Sequence, residues 1–126
     1  MPALNRILMV DDDADIRTIA HLSLTAVGGF TVELCASGAE AIQKAPAFNP
    51  DLILLDVMMP GMDGPTTLKE LRGNPALART PVVFMTAKVQ PQEIAQLLAC
   101  GAMDVLAKPF DPMALPDTLN RIWAAH

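Results

Sequence analysis

Carboxylates, a hydroxyl and an ammonium group each directly follow an apolar stretch of this chain. The acidic run Asp11-Asp12-Asp13 follows the first stretch and Asp56 the second, while Thr86 and Lys108 follow the next two. These residue types suit the handling of a divalent metal ion and a phosphate group, because carboxylates are hard oxygen ligands and hydroxyl and ammonium groups donate to phosphate oxygens. The four stretches cover residues 7–10, 52–55, 82–85 and 105–107.

Strand-like and helix-like patterns alternate five times along the chain, at about 25 residues per pair. This alternation predicts an α/β fold, a flavodoxin-like doubly wound (βα)5 sandwich built on a parallel five-stranded sheet. The first, third and fourth strands are uniformly apolar and are predicted to be central. The second strand, at residues 31–35, and the fifth contain Glu33 and Asp104 and are predicted to be edges.

The strand order that satisfies this pattern is 2-1-3-4-5, and it determines where the polar strand ends meet. It places the topological switch point between the first and third strands, and ligands bind outside the carboxyl ends of strands at such a point. Asp11, Asp12 and Asp56 are therefore expected to converge there. Thr86 and Lys108 should lie at the ends of the strands alongside.

Capping residues and prolines predict where the helices begin. The first helix should end at Gly28-Gly29, with Ile19 and Val27 on its apolar face, and the fourth should be buried partly through Leu98. The start signals are Asp13, the capping-box pair Ser37 and Glu40, Pro65, Pro91, and Asp111 followed by Pro112.

Composition predicts one domain over residues 1–126, with no output domain visible, because 126 residues that are 52% apolar suffice for a single packed core. The net charge of −5 and the aromatic content of 4% argue against direct nucleic-acid binding. No stretch is long and apolar enough to span a membrane, and the acidic run interrupts any signal peptide, so a cytoplasmic location is predicted. Cys35 and Cys100 are predicted to be small buried side chains in a reducing compartment.

Three carboxylates in one crevice repel one another, and a hard divalent cation is the usual compensation. Mg²⁺ prefers oxygen ligands and keeps several waters, so Asp11 and Asp12 are interpreted as metal ligands. The alternative is a strand-to-helix turn in which an aspartate only caps the helix. That alternative suits Asp13 but does not require three acids in a row.

Asp56 is interpreted as a nucleophile, since an aspartate can accept a phosphoryl group to give an acyl phosphate. Lys108 would pair with Asp56 at rest and with phosphate oxygens afterwards, and Thr86 would donate its hydroxyl to a phosphate oxygen. The simpler alternatives are an aspartate that hydrogen-bonds loop amides, a solvated surface lysine and an ordinary strand-end threonine.

Four ordered motifs, which together span essentially the whole chain, resemble the receiver domain of two-component response regulators. By that resemblance Asp56 is the phospho-acceptor, Thr86 the switch hydroxyl and Lys108 the phosphate-pairing lysine. The Mg²⁺ ligands that it implies are Asp11, Asp12, Asp56 and the backbone carbonyl of Met58. The motifs are Ile7-Leu8-Met9-Val10-Asp11-Asp12-Asp13, Asp56-Val57-Met58-Met59-Pro60-Gly61-Met62-Asp63-Gly64, Met85-Thr86-Ala87-Lys88 and Lys108-Pro109-Phe110.

The resemblance implies a phosphorylation switch rather than an enzyme with a separate substrate. A sensor histidine kinase or a phosphotransfer protein would donate the phosphoryl group, and the face formed by the fourth helix, fifth strand and fifth helix would reorganise for a downstream protein target. That face covers roughly residues 91–123. The added charge would bias a two-state packing.

Two features depart from the commonest family pattern. Members often carry an aromatic residue in the fifth strand, three residues before the lysine, and Val105 occupies that place here. Val105 has no ring to swing, so the usual route that couples Thr86 to the output face is in doubt. Lys88 and Met58 flank the crevice where a hydrolytic water would enter, and we hypothesise that they tune the lifetime of the phosphoryl group.

Three other functions compete with this interpretation. A haloacid-dehalogenase-like phosphatase needs a second aspartate two residues after the nucleophile, where this chain has Met58. A flavodoxin-like electron carrier needs a first loop that cradles phosphate, which the acidic run would repel. A phosphorylation-independent interaction module on the same fold stays open because of Val105.

Overall fold

The chain folds around one parallel five-stranded sheet in a computed structural model that describes residues 2–126. The sheet order is β2-β1-β3-β4-β5, as the hydrophobic pattern predicts, and β2 and β5 are its edges. The fold prediction is confirmed. The strands are β1 (Arg6–Val10), β2 (Thr31–Cys35), β3 (Leu52–Asp56), β4 (Val82–Thr86) and β5 (Asp104–Ala107).

Five α-helices cover both faces of the sheet, so each central strand is buried on both sides. Successive strand residues point to opposite faces, and each face therefore receives alternate apolar side chains. One face packs against α2, α3 and α4, and the other packs against α1 and α5. The helices are α1 (Ala14–Leu22), α2 (Gly38–Phe48), α3 (Gly64–Arg72), α4 (Pro91–Ala99) and α5 (Leu115–Ala125).

The strand register brings the polar strand ends to one edge of the sheet. Val10 of β1 lies beside Leu55 of β3, so the residues that follow them, Asp11 and Asp56, are neighbours. Asp56 lies beside Met85, the residue before Thr86. This register places the acidic residues at the switch point and Thr86 at the end of the strand beside it.

Helix α1 departs from the predicted pattern at its C-terminal end. It passes into a π-helical turn, Ser23–Val27, before Gly28 ends the helical segment. The wider turn changes the angular spacing of the side chains that follow. The prediction that Val27 and Ile19 both face the core is wrong. Val27, in this turn, is 49% exposed, and Ile19, which precedes the turn, is 44% exposed because α1 is buried through its neighbour Ala20.

Two further predictions about helices are wrong. Leu98 of α4 is 41% exposed, because α4 lies against the core mainly through Leu97. Asp111 does not begin α5: its carboxylate accepts a hydrogen bond from the Met113 amide, and the turn that it closes delays the helix to Leu115.

The cysteines differ from each other. Cys35, at the end of β2, is fully buried as predicted, whereas Cys100, at the C-terminal end of α4, is exposed. Both are free thiols. The prediction for Cys100 is wrong because α4 exposes most of its surface to solvent. Among residues 2–126, none of the helices has the length and hydropathy needed to cross a bilayer.

Candidate functional site

Three carboxylates meet at the carboxyl edge of the sheet, as the predicted topology requires. Asp11, Asp12 and Asp56 each offer one oxygen atom, and these atoms all lie within 4.8 Å of one another. Asp11 and Asp56 are buried, whereas Asp12 is exposed and opens the cluster to solvent. A buried acidic pair with one open side can take up a ligand from solution.

Lys108 is the cation that this acidic cluster holds in the structure. Its ammonium Nζ lies 3.0 Å from Oδ2 of Asp11 and 3.3 Å from Oδ1 of Asp56. The contact with Asp56 was expected from the sequence, and the shorter contact with Asp11 was missed. The peptide bond between Lys108 and Pro109 is cis.

The electrostatics of the site follow from this geometry. Burial and, next, the charge of Asp11 raise the pKa of Asp56 to about 6, although Lys108 opposes the shift. Burial works against the charged form of Lys108, yet its hydrogen bond to Asp11 and the charges of both carboxylates together raise its pKa. One ammonium therefore does not compensate the three acidic groups, and a second cation would lower the repulsion between them.

The loop after β1 is held by short-range contacts. Oδ1 of Asp11 accepts a hydrogen bond from the Asp13 amide at 2.9 Å, and Oδ1 of Asp13 caps α1 by accepting from the Asp15 and Ile16 amides. The predicted cap is confirmed. Arg17 donates from Nη1 to the backbone carbonyl of Asp11 at 2.8 Å. Sequence reasoning missed Arg17, although a cation one turn into α1 beside an acidic run was a usable signal.

Thr86 is the last residue of β4, which lies beside β3, the strand that ends in Asp56. It is 3% exposed, and its Oγ1 accepts a hydrogen bond from the backbone amide of Lys88 at 3.0 Å. Its backbone carbonyl accepts from the Lys108 amide at 2.9 Å, which ties the threonine to the loop that carries the lysine. Thr86 and Lys108 are therefore positioned together.

The loop between β3 and α3 brings backbone close to Asp56. A Cβ atom on Gly64 would lie 2.6 Å from the carbonyl oxygen of Asp56 and 2.9 Å from Cα of Val57. Only glycine fits this approach. The α3 helix begins at Gly64, capped by Asp63, so Pro65 occupies its second position and not the first. Met58, in the same loop, is 63% exposed.

The donor set fits a hard divalent cation. Mg²⁺ is bound in proteins by one or two carboxylates with further oxygen ligands, several of them waters. Asp11, Asp12 and Asp56 supply carboxylate oxygens within reach of one another, and the exposed side of the cluster leaves room for waters. The three aspartates that the sequence marked as metal ligands are compatible in chemistry and position with that ion.

The fold and this site define the class of protein. The family model described as "Response regulator receiver domain" matches residues 7–120. The chain belongs to the receiver domains of two-component response regulators. Receiver domains of this family act in signal transduction together with histidine kinases.

Relatives and solved structures agree with this family. Regulatory protein AtoC of Escherichia coli is 40% identical over 111 residues, which cover 88% of this chain and 23% of that protein. Response regulator MprA of Mycobacterium tuberculosis is 40% identical over 94% of this chain and 49% of its own length. The chain thus spans half or less of these relatives.

A solved structure of similar length matches almost completely. The chemotaxis protein CheY4 of Vibrio cholerae superposes with a TM-score of 0.87 at 36% identity, over 95% of this chain and 99% of that one. A putative response regulator from Chloroflexus aurantiacus gives a TM-score of 0.85 at 35% identity, over 96% of this chain and 98% of that one.

Proposed function

We propose that this receiver domain is a phosphorylation switch in which Asp56 accepts the phosphoryl group. The observation that supports it best is the position of the Asp56 carboxylate, 3.3 Å from the Lys108 ammonium and within 4.8 Å of oxygens from Asp11 and Asp12. A carboxylate held this way is oriented by a cation on one side and by a potential metal site on the other. Such a group suits nucleophilic attack on phosphorus.

The phosphoryl group would come from a phosphohistidine of a sensor histidine kinase or a phosphotransfer protein. An Asp56 oxygen forms the new bond to phosphorus as the bond from phosphorus to the imidazole nitrogen breaks, and the imidazole leaves with the electron pair. The product is an aspartyl acyl phosphate, which water later hydrolyses. Lys108 and Thr86 would donate to the phosphoryl oxygens, and the proposal is supported by the 3.3 Å contact of Lys108 with Asp56 and by the position of Thr86 at the end of the neighbouring strand.

The Mg²⁺ ligands in this proposal are Asp11, Asp12, Asp56 and the backbone carbonyl of Met58. When bound, Mg²⁺ supplies Lewis-acid stabilisation of the phosphoryl oxygens and reduces repulsion between them and the carboxylates. The protein's own contribution is to hold the acceptor carboxylate in place. Asp11 fixes Lys108 at 3.0 Å, and Lys108 in turn reaches Asp56.

The donor protein would dock on the apolar surface that borders this site. Ile19, Leu22 and Met113 expose large side chains where α1 meets the loop before α5, and Lys108 lies at the edge of this surface. A downstream target protein would bind the face formed by α4, β5 and α5. We propose no direct contact with nucleic acid for this domain, whose net charge is −5, and a cytoplasmic location.

Phosphorylation with a small-molecule donor tests the proposal. After incubation with acetyl phosphate and Mg²⁺, intact mass spectrometry should show one added phosphoryl group on the wild type and on Asp117→Asn, an exposed residue of α5. Asp56→Asn should show none above background, because the amide nitrogen and oxygen are poor nucleophiles. Equal labelling of Asp56→Asn and wild type would contradict the assignment of the acceptor.

A phosphorylation-independent interaction module is the second candidate function. It is favoured by Val105, which packs half-buried against the α4 side of the sheet and offers no aromatic ring to respond to Thr86. The same labelling experiment separates the two functions. An unlabelled wild type would favour the interaction module.

A further inference from the structure

A cleft lies between the β3–α3 loop and α4, directly beside the proposed acceptor site. Its volume is about 410 Å³, and its walls are mainly apolar. Thr86 lines this cleft and also lies at the site, so any change in the threonine's position reaches both. Thr86, Lys88, Glu93 and Leu97 are among the residues that line the cleft.

Glu93 brings an unusual group into this cleft. One of its carboxylate oxygens, Oε2, is inaccessible to solvent and has no hydrogen-bond partner within the described chain. A buried acceptor that is left without a donor destabilises the folded state, and the effect is larger when the acceptor is charged. The structure therefore leaves a carboxylate that would gain from a nearby cation.

Lys88 is the cation that lines the same cleft. Within residues 2–126 it forms no ion pair at 4.0 Å or less, and its side chain is exposed. Its backbone amide donates to Oγ1 of Thr86, which anchors the base of the side chain beside the acceptor site. A long flexible ammonium anchored at this point can turn either toward Glu93 or toward Asp56.

The first turn of α4, which carries Glu93, is weakly held. Its N-cap residue, Gln90, makes no side-chain cap hydrogen bond, and the residues from Ala87 to Gln92 are all exposed. Leu97 is the one buried residue of α4. A single ion pair at Glu93 can therefore change how firmly this end of the helix is attached.

We propose that Glu93 is a positioning residue that binds the Lys88 ammonium in the resting domain, and that a phosphoryl group on Asp56 competes for this ammonium. The inference rests on the proposed function and adds a regulatory element to the same site. In the structure the two side chains line the same cleft without an ion pair, and a rotation of the Lys88 side chain toward Glu93 would form the pair and attach α4 to the loop after β4. After phosphorylation, Lys88 turns to the phosphoryl oxygens and Glu93 loses its partner, so the first turn of α4 is released.

This exchange gives the domain a route to α4 that needs no aromatic residue. Thr86 anchors Lys88, and the Lys88 ammonium moves from Glu93 to the phosphoryl group. This movement would couple the acceptor site to α4 in place of the aromatic ring that is absent at Val105. It also explains how Lys88 would affect the phosphoryl lifetime. An ammonium on the phosphoryl oxygens stands where a hydrolytic water enters, and Glu93 withdraws it from that position.

Hydrogen exchange in the unphosphorylated protein tests the resting pair. Lys88→Ala and Glu93→Gln should each raise the exchange rate of the Ile94 amide, which bonds to the Gln90 carbonyl, by about two- to fivefold. The double variant should exchange no faster than either single variant. Lys88→Arg should restore protection, and Glu70→Gln, an exposed residue of α3 with the same charge change, should leave it unaltered.

Decay of the phosphorylated protein tests the competition. Glu93→Gln should slow phosphoryl loss about two- to fivefold, because Lys88 is then free for the phosphoryl oxygens. Lys88→Ala should accelerate loss, and the double variant should decay like Lys88→Ala. A Glu93→Gln effect that persists without Lys88 would overturn the inference.

The two measurements separate this inference from the proposed function. Additive effects on hydrogen exchange would overturn the resting pair, whatever happens on phosphorylation. If the effects of the variants on hydrogen exchange were non-additive but the wild type accepted no phosphoryl group, the resting pair would be supported and phosphorylation at Asp56 would be contradicted.

Discussion

Lys108 shows how one buried side chain can organise a whole site. It lies between two buried carboxylates and is itself only 18% exposed. Lys44 makes a contrasting cluster at the surface, where it pairs with Glu33 at 3.2 Å and Glu40 at 3.8 Å. Exposed pairs contribute little because solvent screens them, whereas removing one partner of a buried pair leaves an uncompensated charge.

Replacing Lys108 with methionine should therefore destabilise the domain by about 1.5–3 kcal/mol in the absence of divalent ions, the range for hydrogen bonds to charged groups. Asp11 and Asp56 would then face each other without an intervening cation. Urea unfolding followed by circular dichroism measures the change, and added Mg²⁺ should recover part of it. Lys44→Met is the matched control and should not change the unfolding midpoint. Equal effects of the two substitutions would contradict the role given to Lys108.

The two thiols should differ in reactivity and in their effect on the pH dependence of stability. Burial, and next the charge of Glu40, raise the pKa of Cys35 to about 12. The contribution of this raised pKa to stability is fully present at pH values below the thiol pKa of the unfolded chain, which is about 8.5. As the pH rises from there toward 12, the unfolded chain ionises first and stability falls, by at most about 1.4 kcal/mol per pH unit.

A thiol reagent at pH 8 should therefore label only Cys100 in the folded protein and both cysteines in denaturant. In Cys35→Ala the loss of stability between pH 8 and pH 10 should be smaller than in the wild type, since other groups that titrate there are shared. Labelling of two thiols in the folded protein would show that Cys35 is accessible.

At the residue scale, the sequence was sufficient to predict which side chains converge, because strand ends in a parallel sheet meet at one edge. Asp11, Asp12 and Asp56 were placed by that rule alone. It could not show that Lys108 lies closer to Asp11 than to Asp56, or that Glu93 enters the neighbouring cleft. Those contacts depend on the paths of long side chains and on how far α4 stands from the sheet.

At the scale of elements, the loop between β3 and α3 determines how Asp56 is presented. Gly64 is the first residue of α3 and packs against the carbonyl of Asp56. A Cβ atom added to Gly64 would also lie 3.1 Å from the ring of Phe84, so no space remains for a side chain. The helix therefore cannot begin with a larger residue unless the backbone at Asp56 moves. The sequence predicted a turn here but not this close packing.

Gly64→Ala should destabilise the domain by about 1–3 kcal/mol, the usual cost of overpacking, and should slow phosphorylation by displacing Asp56. The two effects can be measured by urea unfolding and by the rate of labelling with acetyl phosphate. Gly73→Ala at the end of α3 is the milder control, since its φ is −70° and the added Cβ would lie 3.3 Å from the Glu70 carbonyl oxygen, which a small shift accommodates. A Gly64→Ala protein with normal stability and labelling would show that the loop tolerates the added group.

Two helix boundaries were predicted wrongly, each for a different physical reason. Asp111 is a strong cap signal, but its side chain closes a single turn that is not continued into α5. The π-helical turn Ser23–Val27 is stabilised from outside the helix, because Ser23 donates its hydroxyl to the carbonyl of Pro112. A local pattern does not contain the tertiary contact between Ser23 and Pro112, so the sequence alone could not predict the π-helical turn.

At the scale of the whole molecule, the fold buries its apolar residues in two layers and leaves its acidic cluster at the shared edge of the sheet. The core layers do not include the acidic residues of the site, and the strand register brings Asp11 and Asp56 to the same edge. Repulsion within the cluster therefore weakens the folded state, and a ligand that relieves this repulsion stabilises the entire domain.

Mg²⁺ should consequently raise the melting temperature of the wild type. At a concentration 100-fold above its dissociation constant the expected gain is about 2.7 kcal/mol, which corresponds to several degrees for a domain of this size. Asp12→Asn removes one ligand and one repelling charge, so it should melt at or above the wild-type temperature without Mg²⁺ and should gain less when Mg²⁺ is added. Asp117→Asn, which changes the net charge equally but lies on α5, should respond like the wild type. If Asp12→Asn and the wild type gained equally from Mg²⁺ in thermal unfolding, the ion would bind elsewhere, and the acidic cluster would have to be stabilised by Lys108 alone.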